Sequence, residues 1–236
     1  KIFKEYSFLS QSKACKIAMP QDDYECSELL DNWMCSWNID KLYTVCPDKW
    51  DLLYPNLIKR GVIELGYTGY ITKSQIKYWE RTKDFNKREI DIFYRSSINN
   101  QFSNYGKIRS LKKEIADTFL KNRDKLASYN IDISTNQEDL LHGDNWFERL
   151  GNSKYCLVTP SGSSLHDPKG LIKEKIIKYI KNNPKSNFRN IEKNCFPNLD
   201  MKNIFTAISP RNIEAALSKT VQIAYEDSYS NIMEPN

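Results

Sequence analysis

Short apolar runs alternate with stretches of helical spacing through the first third of the chain. Apolar residues predominate in 16–19, 42–46 and 61–65, and each run has the length of a buried strand. Apolar residues at helical spacing between these runs predict helices over about 25–37 and 47–58. Pro55 lies inside the second of these helices and should kink or split it. This alternation of strands and helices predicts a parallel sheet with helices on its faces.

A second strand–helix series begins at residue 90 and continues through the rest of the chain. Its predicted strands lie at 90–94, 131–133, 155–158, 205–208 and 221–225. Its predicted helices lie over about 108–126, 144–150 and 171–181, and after Ser209. Residues 182–201 lack a clear pattern, so we expect them to be irregular or weakly helical. The chain as a whole is therefore predicted to be an α/β protein with parallel sheets.

Two series of this kind predict two Rossmann-like domains. We expect the first over residues 1–70 and the second over residues 90–236. Residues 71–89, between them, are rich in Lys and Arg and have few patterned apolar positions. We therefore predict that residues 71–89 connect the two domains.

Composition and charge narrow the classes of protein that the chain could belong to. The 236 residues have a hydrophobic content of 40%, which is ordinary for a globular protein. No apolar run approaches the roughly 20 residues that span a bilayer, and the first residues do not have the pattern of a signal peptide. A cytoplasmic protein is therefore expected.

The titratable residues point to an anionic partner but to no cofactor. The net charge of +5 fits an anionic ligand, and it is compatible with peripheral contact to an anionic membrane. The six cysteines and two histidines lie outside metal-ligand spacing, so free thiols, no metal and no cofactor are expected. We find no nucleic-acid-binding motif and expect no such partner.

The segment 205–235 contains the strongest candidate site. Ser209 can cap a helix, and Pro210 suits the first helical position because its missing N–H would lack a partner there. Arg211 and Glu214 are three residues apart and share a helix face. Free N–H groups and a cation at a helix start predict a phosphate site. A carboxylate one turn further could accept hydrogen bonds from sugar hydroxyls.

The loop 159–170 follows a predicted strand, where open α/β sheets bind ligands. Gly162 allows positive φ, and Ser161, Ser163 and Ser164 supply hydroxyl donors with little bulk. An ordinary surface loop is the alternative interpretation.

Arg95 closes the predicted strand 90–94 and begins a loop that contains Gly106 and Lys107. A guanidinium at this position can form bidentate hydrogen bonds with phosphate oxygens. An ion pair between domains is the alternative role for Arg95, and a solvated helix start is the alternative for Lys107.

The motif S-P-R-x-x-E-A-A at 209–216, with a strand and a loop ending in E-P after it, resembles the donor-binding segment of GT-B glycosyltransferases. More narrowly, it is similar to bacterial enzymes of the glycosyltransferase group 1 type, and M-P-Q-D-D-Y at 19–24 extends the resemblance. The resemblance implies that Glu214 binds the ribose of a nucleotide-sugar. It also implies that Arg95 and Lys107 contact the diphosphate and that the loop 159–170 faces the donor.

The chain departs from the family pattern at defined positions. The Glu that the family has eight residues before Glu214 is Thr206 here, and Asp167 is a candidate for the missing carboxylate. Lys219 stands where a glycine normally ends the helix. Relative to the family, we expect a fragment that lacks the first strands of the N-terminal domain and the last helix.

The expected function is the transfer of a sugar from a nucleotide-diphosphate donor to a glycan, lipid-linked or protein acceptor. Arg95 and Arg211 would stabilise the leaving diphosphate without a metal, and the family resemblance implies a retaining reaction. One alternative is a non-catalytic nucleotide- or sugar-binding module that kept the pocket after losing the first Glu. A nucleic-acid-binding protein is another alternative, and only the charge suggests it.

Overall fold

The computed structural model describes residues 2–97 and 100–233, with the side chains of residues 4–97 and 105–233. The chain divides into two compact units. Unit 1 is drawn from Lys1–Thr68, Gln101–Lys107 and Gly162–Ala207. Unit 2 is drawn from Gly69–Asn100, Ile108–Ser161 and Ile208–Asn236.

Strands and helices alternate along both units, as the hydrophobic pattern predicts. The strands are β1 (Ile17–Ala18), β2 (Lys41–Thr44), β3 (Ile63–Leu65), β4 (Ile90–Arg95), β5 (Ile131–Ser134), β6 (Ser153–Val158), β7 (Ser161–Ser163), β8 (Phe205–Ala207) and β9 (Val221–Ala224). The α-helices are α1 (Ile2–Glu5), α2 (Ser27–Ser36), α3 (Trp50–Leu53), α4 (Ile76–Arg81), α5 (Leu111–Lys121), α6 (Asp144–Gly151), α7 (Leu171–Asn182), α8 (Phe188–Cys195) and α9 (Pro210–Leu217). Short 3-10 helices occupy Ser7–Gln11, Leu57–Arg60, Lys73–Gln75, Phe85–Lys87, Asn100–Ser110, Arg123–Leu126 and Tyr229–Asn231.

Unit 1 contains a parallel sheet in the order β1-β2-β3. Leu42 of β2 pairs with Ala18 on one side and with Ile63 on the other. Its side chain is fully buried, and it packs in a cluster with Met34 of α2 and Leu53 of α3. The sheet core therefore comes from the apolar runs and helical faces that the sequence predicts.

The predicted helix over 47–58 is divided in two. α3 ends at Leu53, and a 3-10 helix begins at Leu57. Pro55 lies between them, and Tyr54 before it has φ −137° and ψ 59° rather than helical angles. A proline disfavours helical geometry in the residue before it, which explains the break.

Residues 182–201, which were expected to be irregular or weakly helical, contain a regular helix, α8, in their central part. Asn187 caps this helix by accepting a hydrogen bond from the N–H of Asn190 at 3.0 Å. Ile191 and Cys195, four residues apart, are buried in one cluster with Ile176 of α7. Because α8 has only eight residues, its apolar stripe is too short to stand out in the sequence.

Unit 2 contains a four-stranded parallel sheet in the order β5-β4-β6-β9. Neighbouring residues of β4 face opposite sides of it, as the pleat requires. Phe93 packs in a cluster with Ala215 of α9, whereas Tyr94 packs in a cluster with Ile115 and Ala116 of α5. Helices therefore cover both faces, and the predicted α/β class with parallel sheets is confirmed.

The direction in which the chain adds strands to this sheet reverses at β4. From β4 the chain passes through α5 to β5 on one side, and then through α6 to β6 on the other side. In open α/β sheets, ligands bind outside the carboxyl ends of the strands at such a reversal. The strand order is compatible with a Rossmann-like α/β fold.

The division into units differs from the boundaries that the sequence suggested. Gly162–Ala207 belongs to unit 1, where the Cys26 N–H donates to the carbonyl of Asp167 at 2.8 Å. Most of the predicted connector is a folded part of unit 2, because Tyr78 of α4 stacks on Phe147 of α6 with ring centroids 4.4 Å apart. These associations join residues distant in sequence, so local pattern does not reveal them.

Candidate functional site

A cavity of about 670 Å³ lies in unit 2 at the carboxyl ends of β4 and β6 and at the start of α9. Its position is the one that the strand-order reversal predicts for a ligand. Its lining residues come from distant parts of the unit, and they are Gln75, Arg95, Ser96, Ser97, Arg109, Lys112, Leu140, Leu141, His142, Gly143, Trp146, Phe147, Thr159, Ser161, Ser209, Pro210, Arg211 and Glu214. Among these described residues, four are Lys or Arg and one is a carboxylate, so the lining favours an anion.

The start of α9 is formed by the local signals that the sequence predicts. Ser209 has extended geometry, and Pro210 occupies the first helical position. Asn212 closes the cap, because its side-chain oxygen accepts from the Ser209 N–H at 3.0 Å and from the Ser209 hydroxyl at 2.7 Å. This cap holds the first turn of α9 beside the cavity, and Arg211 and Glu214 both line the cavity.

Arg211 is held by aromatic rings and one carbonyl rather than by an acid. Its guanidinium lies 4.8 Å from the ring centroid of Tyr94 and 5.5 Å from that of Trp146. One amino group donates to the carbonyl of Arg95 at 2.6 Å, and the buried Nε has no partner among the described residues. No carboxylate of the described residues forms an ion pair with it, so its charge is available to an anion.

Arg95 lines the same cavity, but its guanidinium is engaged by the protein. It forms an ion pair with Asp132 of β5 at 2.5 Å, and the Arg95 side chain is only 11% exposed. It also donates to the carbonyls of Tyr94, Asp132 and Asp139 at 3.0–3.1 Å. An arginine has five N–H donors, so four of them are used. The geometry gives Arg95 the role of positioning Arg211 through its carbonyl.

Glu214 is oriented by a tryptophan from another helix. Trp146 of α6 donates its indole N–H to Glu214 Oε2 at 2.9 Å. The other carboxylate oxygen, Oε1, has no hydrogen bond to a described residue. Trp146 therefore contacts both Arg211 and Glu214, and it orients these two charged side chains of α9.

The serine-rich loop is divided after Ser161. Ser161 lines the cavity, whereas Gly162, Ser163 and Ser164 belong to unit 1 and do not line it. A Cβ atom on Gly162 would lie 1.9 Å from the carbonyl oxygen of Phe205, so a glycine is required where β7 meets β8. Ser163 and Ser164 are buried, and their hydroxyls donate to Leu165 O at 2.9 Å and to Asp200 Oδ1 at 2.6 Å.

Lys107 and Asp167 also belong to unit 1, and neither is among the residues that line the cavity. The Lys107 backbone N–H donates to the Asp200 carboxylate at 3.1 Å, and its ammonium is 4.0 Å from Glu192. Asp167 is buried, and its Oδ2 accepts from the Lys173 N–H at 2.9 Å near the start of α7. Asp167 therefore stabilises a helix start instead of replacing the carboxylate missing at Thr206.

Several lining residues were not predicted from the sequence. Arg109 and Lys112 lie three residues apart at the start of the α5 region, and His142 and Trp146 flank the start of α6. The spacing of Arg109 and Lys112 was a usable signal, because residues three apart on a helix share a face. Trp146 gave no signal beyond an ordinary apolar position.

No protein-family model, curated protein or solved structure matches this chain. Among the described residues, His, Cys, Asp and Glu form no group of three that could hold a metal ion. The helices of the described part of the chain also include none with the length and apolar composition needed to cross a bilayer.

Proposed function

We propose that unit 2 binds a nucleotide-diphosphate sugar and that the chain is a glycosyltransferase of the GT-B type. The observation that supports this most is the Arg211 guanidinium, which lines the cavity at the strand-order reversal without a carboxylate partner. A cation and the N–H groups at the start of α9 suit the diphosphate. The cavity volume of about 670 Å³ is within the usual range for ligand pockets.

The contacts in the cavity support each proposed role. Arg211 binds the diphosphate, and Arg95 positions Arg211 through its carbonyl. Glu214 accepts hydrogen bonds from the ribose through Oε1, while Trp146 holds Oε2. Negative charge grows on the phosphate oxygens as the glycosidic bond breaks, so the contact with Arg211 strengthens in the transition state.

These groups stabilise the leaving group without needing a metal. A GT-B architecture, a retaining reaction and a cytoplasmic location remain predictions from the resemblance and the composition.

A non-catalytic binding module is the second candidate, and one observation favours it. Glu214 is the only carboxylate among the described lining residues, because position 206 is Thr and Asp167 lies in unit 1. A pocket of this kind could bind a nucleotide-sugar without turning it over. Donor binding with no release of nucleoside diphosphate, in the presence of candidate acceptors, would favour the binding module.

The first test is nucleotide binding by the full chain and by Glu214→Ala. UDP, GDP and ADP are compared by thermal shift, and the best ligand is then titrated calorimetrically. Loss of a charged hydrogen-bond acceptor should weaken the binding of that ligand by about 1.5–3 kcal/mol, or roughly 10- to 150-fold.

Glu80→Ala is the matched control, since Glu80 is an exposed glutamate of the same unit outside the cavity. Equal affinity in Glu214→Ala and wild type would reject the ribose assignment. Failure of all three nucleotides to bind would reject the proposed function.

A further inference from the structure

Residues 171–195, which comprise α7, α8 and the turn between them, form a strongly cationic segment. We refer to them as the α7–α8 hairpin. The hairpin contains seven Lys or Arg residues and two Glu residues, which gives a formal charge of +5. The entire chain also has a net charge of +5, so the other residues are neutral in sum. The hairpin alone therefore carries a net positive charge as large as that of the entire chain.

Most of these cations are exposed and have no acidic partner. Lys173 forms an ion pair with Glu25 at 2.5 Å. The remaining six are exposed and form no ion pair with any described residue, and they are Lys175, Lys178, Lys181, Lys185, Arg189 and Lys193. Their charges are therefore not compensated within the described part of the protein.

The packing of both helices directs these cations away from the protein interior. Ile176 of α7 and Ile191 of α8 are buried in one apolar cluster with Phe196. Residues on the opposite helix faces must point away from that cluster. The hairpin thus has an apolar inner side and a cationic outer side.

Two aliphatic side chains share the outer face of α7 with the lysines. Leu171 is 60% exposed and Ile177 is 58% exposed. Leu171, Lys175 and Lys178 follow the spacing of i, i+4 and i+7, which places them on one stripe. A soluble anion gains no binding energy from contact with these alkyl groups. The acyl region of a bilayer does, because it removes them from water.

We propose that the outer face of the α7–α8 hairpin docks on an anionic lipid bilayer. Clusters of four to eight basic residues bind such surfaces through charge, and adjacent aliphatic side chains add a hydrophobic contribution. Nucleic acid would also attract the cations, but Leu171 and Ile177 offer it neither charge nor an aromatic ring for stacking. The exposed aliphatic pair therefore favours the membrane.

The test is co-sedimentation of the full chain with vesicles at physiological ionic strength. Vesicles of phosphatidylcholine with about one-third phosphatidylglycerol are compared with vesicles of phosphatidylcholine alone. The wild type should bind the anionic vesicles only. The triple variant K175Q/K178Q/K181Q should bind them about 100-fold more weakly, at roughly fivefold for each cation.

The control variant K121Q/R123Q/K125Q removes the same charge from exposed residues at the end of α5 and just after it. It should bind the anionic vesicles like the wild type. An equal loss in both triple variants, or no binding of the wild type to anionic vesicles, would overturn the proposal. Nucleotide binding by unit 2 is measured separately, so failure here leaves the proposed function unaffected.

A second variant distinguishes a membrane partner from a nucleic-acid partner of this face. L171S/I177S keeps every cation, and it should weaken vesicle binding about tenfold because two partly inserted aliphatic side chains are lost. The membrane assignment is overturned if L171S/I177S binds vesicles as well as the wild type. Steeply salt-dependent binding of the wild type to single-stranded DNA, without vesicle binding, would assign the face to nucleic acid instead.

Discussion

Both parallel sheets place polar residues just beyond the carboxyl ends of their strands, but the two units expose them differently. In unit 1, Asp23 follows β1 and is fully buried. Its Oδ2 accepts from the Tyr54 hydroxyl at 2.7 Å and from the Thr44 hydroxyl, while Oδ1 has no partner among the described residues. In unit 2, Arg211 of α9 reaches the carboxyl end of β4, where it donates to the Arg95 carbonyl, and it lines an open cavity over two aromatic rings.

The difference shows that a position at the end of a strand is not sufficient for a ligand site. Asp23 lies against Thr44, Tyr54 and Cys46, which are all buried. Burial raises the pKa of Asp23 to about 6, because the ionised carboxylate loses its hydration in the protein interior. The side chains around Arg211 leave a cavity instead, so the same topological position can receive a ligand there.

The largest expected effect concerns Arg211 and tests the open site. Arg211→Ala should lower turnover by about 10²–10³-fold, because a cation that stabilises developing charge is lost. Donor affinity should fall much less, since the contact strengthens mainly in the transition state. Initial rates of nucleoside diphosphate release at varied donor concentration give kcat and KM separately.

Arg123→Ala, at an exposed position of the same unit, is the control and should have wild-type rates. A rise in KM with unchanged kcat in Arg211→Ala would contradict a role for Arg211 in the transition state.

The next effect concerns the closed site and its dependence on pH. The pKa of Asp23 rises from an ordinary value of 3.8 to about 6 in the native state. Between these values the native state holds a proton that the unfolded state has released, so this contribution to stability falls as pH rises. The free energy of unfolding should fall by about 2.4 kcal/mol between pH 4 and pH 7 through this group.

Asp23→Asn removes this titration, so the stability of the wild type relative to this variant should decrease across the same range. Urea unfolding at several pH values measures the difference. Asp51→Asn removes an exposed carboxylate from the same unit and serves as the control. A difference between wild type and Asp23→Asn that stays constant with pH would show that Asp23 is not held in a desolvated site.

The smallest expected effect concerns Trp146, which links Arg211 and Glu214. Trp146→Phe keeps an aromatic ring but removes the indole N–H that Glu214 accepts at 2.9 Å. Nucleotide affinity should fall by about 1 kcal/mol, or roughly fivefold, as Glu214 loses its orientation. Calorimetric titration measures this loss.

Trp79→Phe is the control, because Trp79 is 48% exposed in the same unit and does not line the cavity. In the double variant with Glu214→Ala, the Trp146→Phe loss should disappear if it acts through Glu214. Additive losses would show that Trp146 acts independently.

Most strands and helices could be predicted because their signals are local. Apolar runs marked the strands of both sheets, and Pro55 marked the break after α3. The start of α9 was also predictable, since Ser209 and Pro210 determine it together. Local signals therefore identified the part of the site that one short segment builds.

The rest of the site depends on pairing between distant segments. The loop after β6 was expected to face the ligand throughout, but it joins unit 1 after Ser161 to place β7 beside β8. Arg95 was expected to bind phosphate, but it pairs with Asp132 on the neighbouring strand. Neither outcome can be derived from spacing along one segment, because each depends on which strands become neighbours.

The pairing of β7 with β8 has a consequence for how this chain could be re-engineered. Residues 164–204 leave from the end of one strand and return at the start of its neighbour, and they fold around an apolar cluster of their own. The two ends of this segment are close together, so making it shorter or longer changes the entropy cost of loop closure only slightly. Residues 164–204 can therefore be replaced as one self-contained insertion. The replacement must preserve the contacts of Asp167 with the chain before α2.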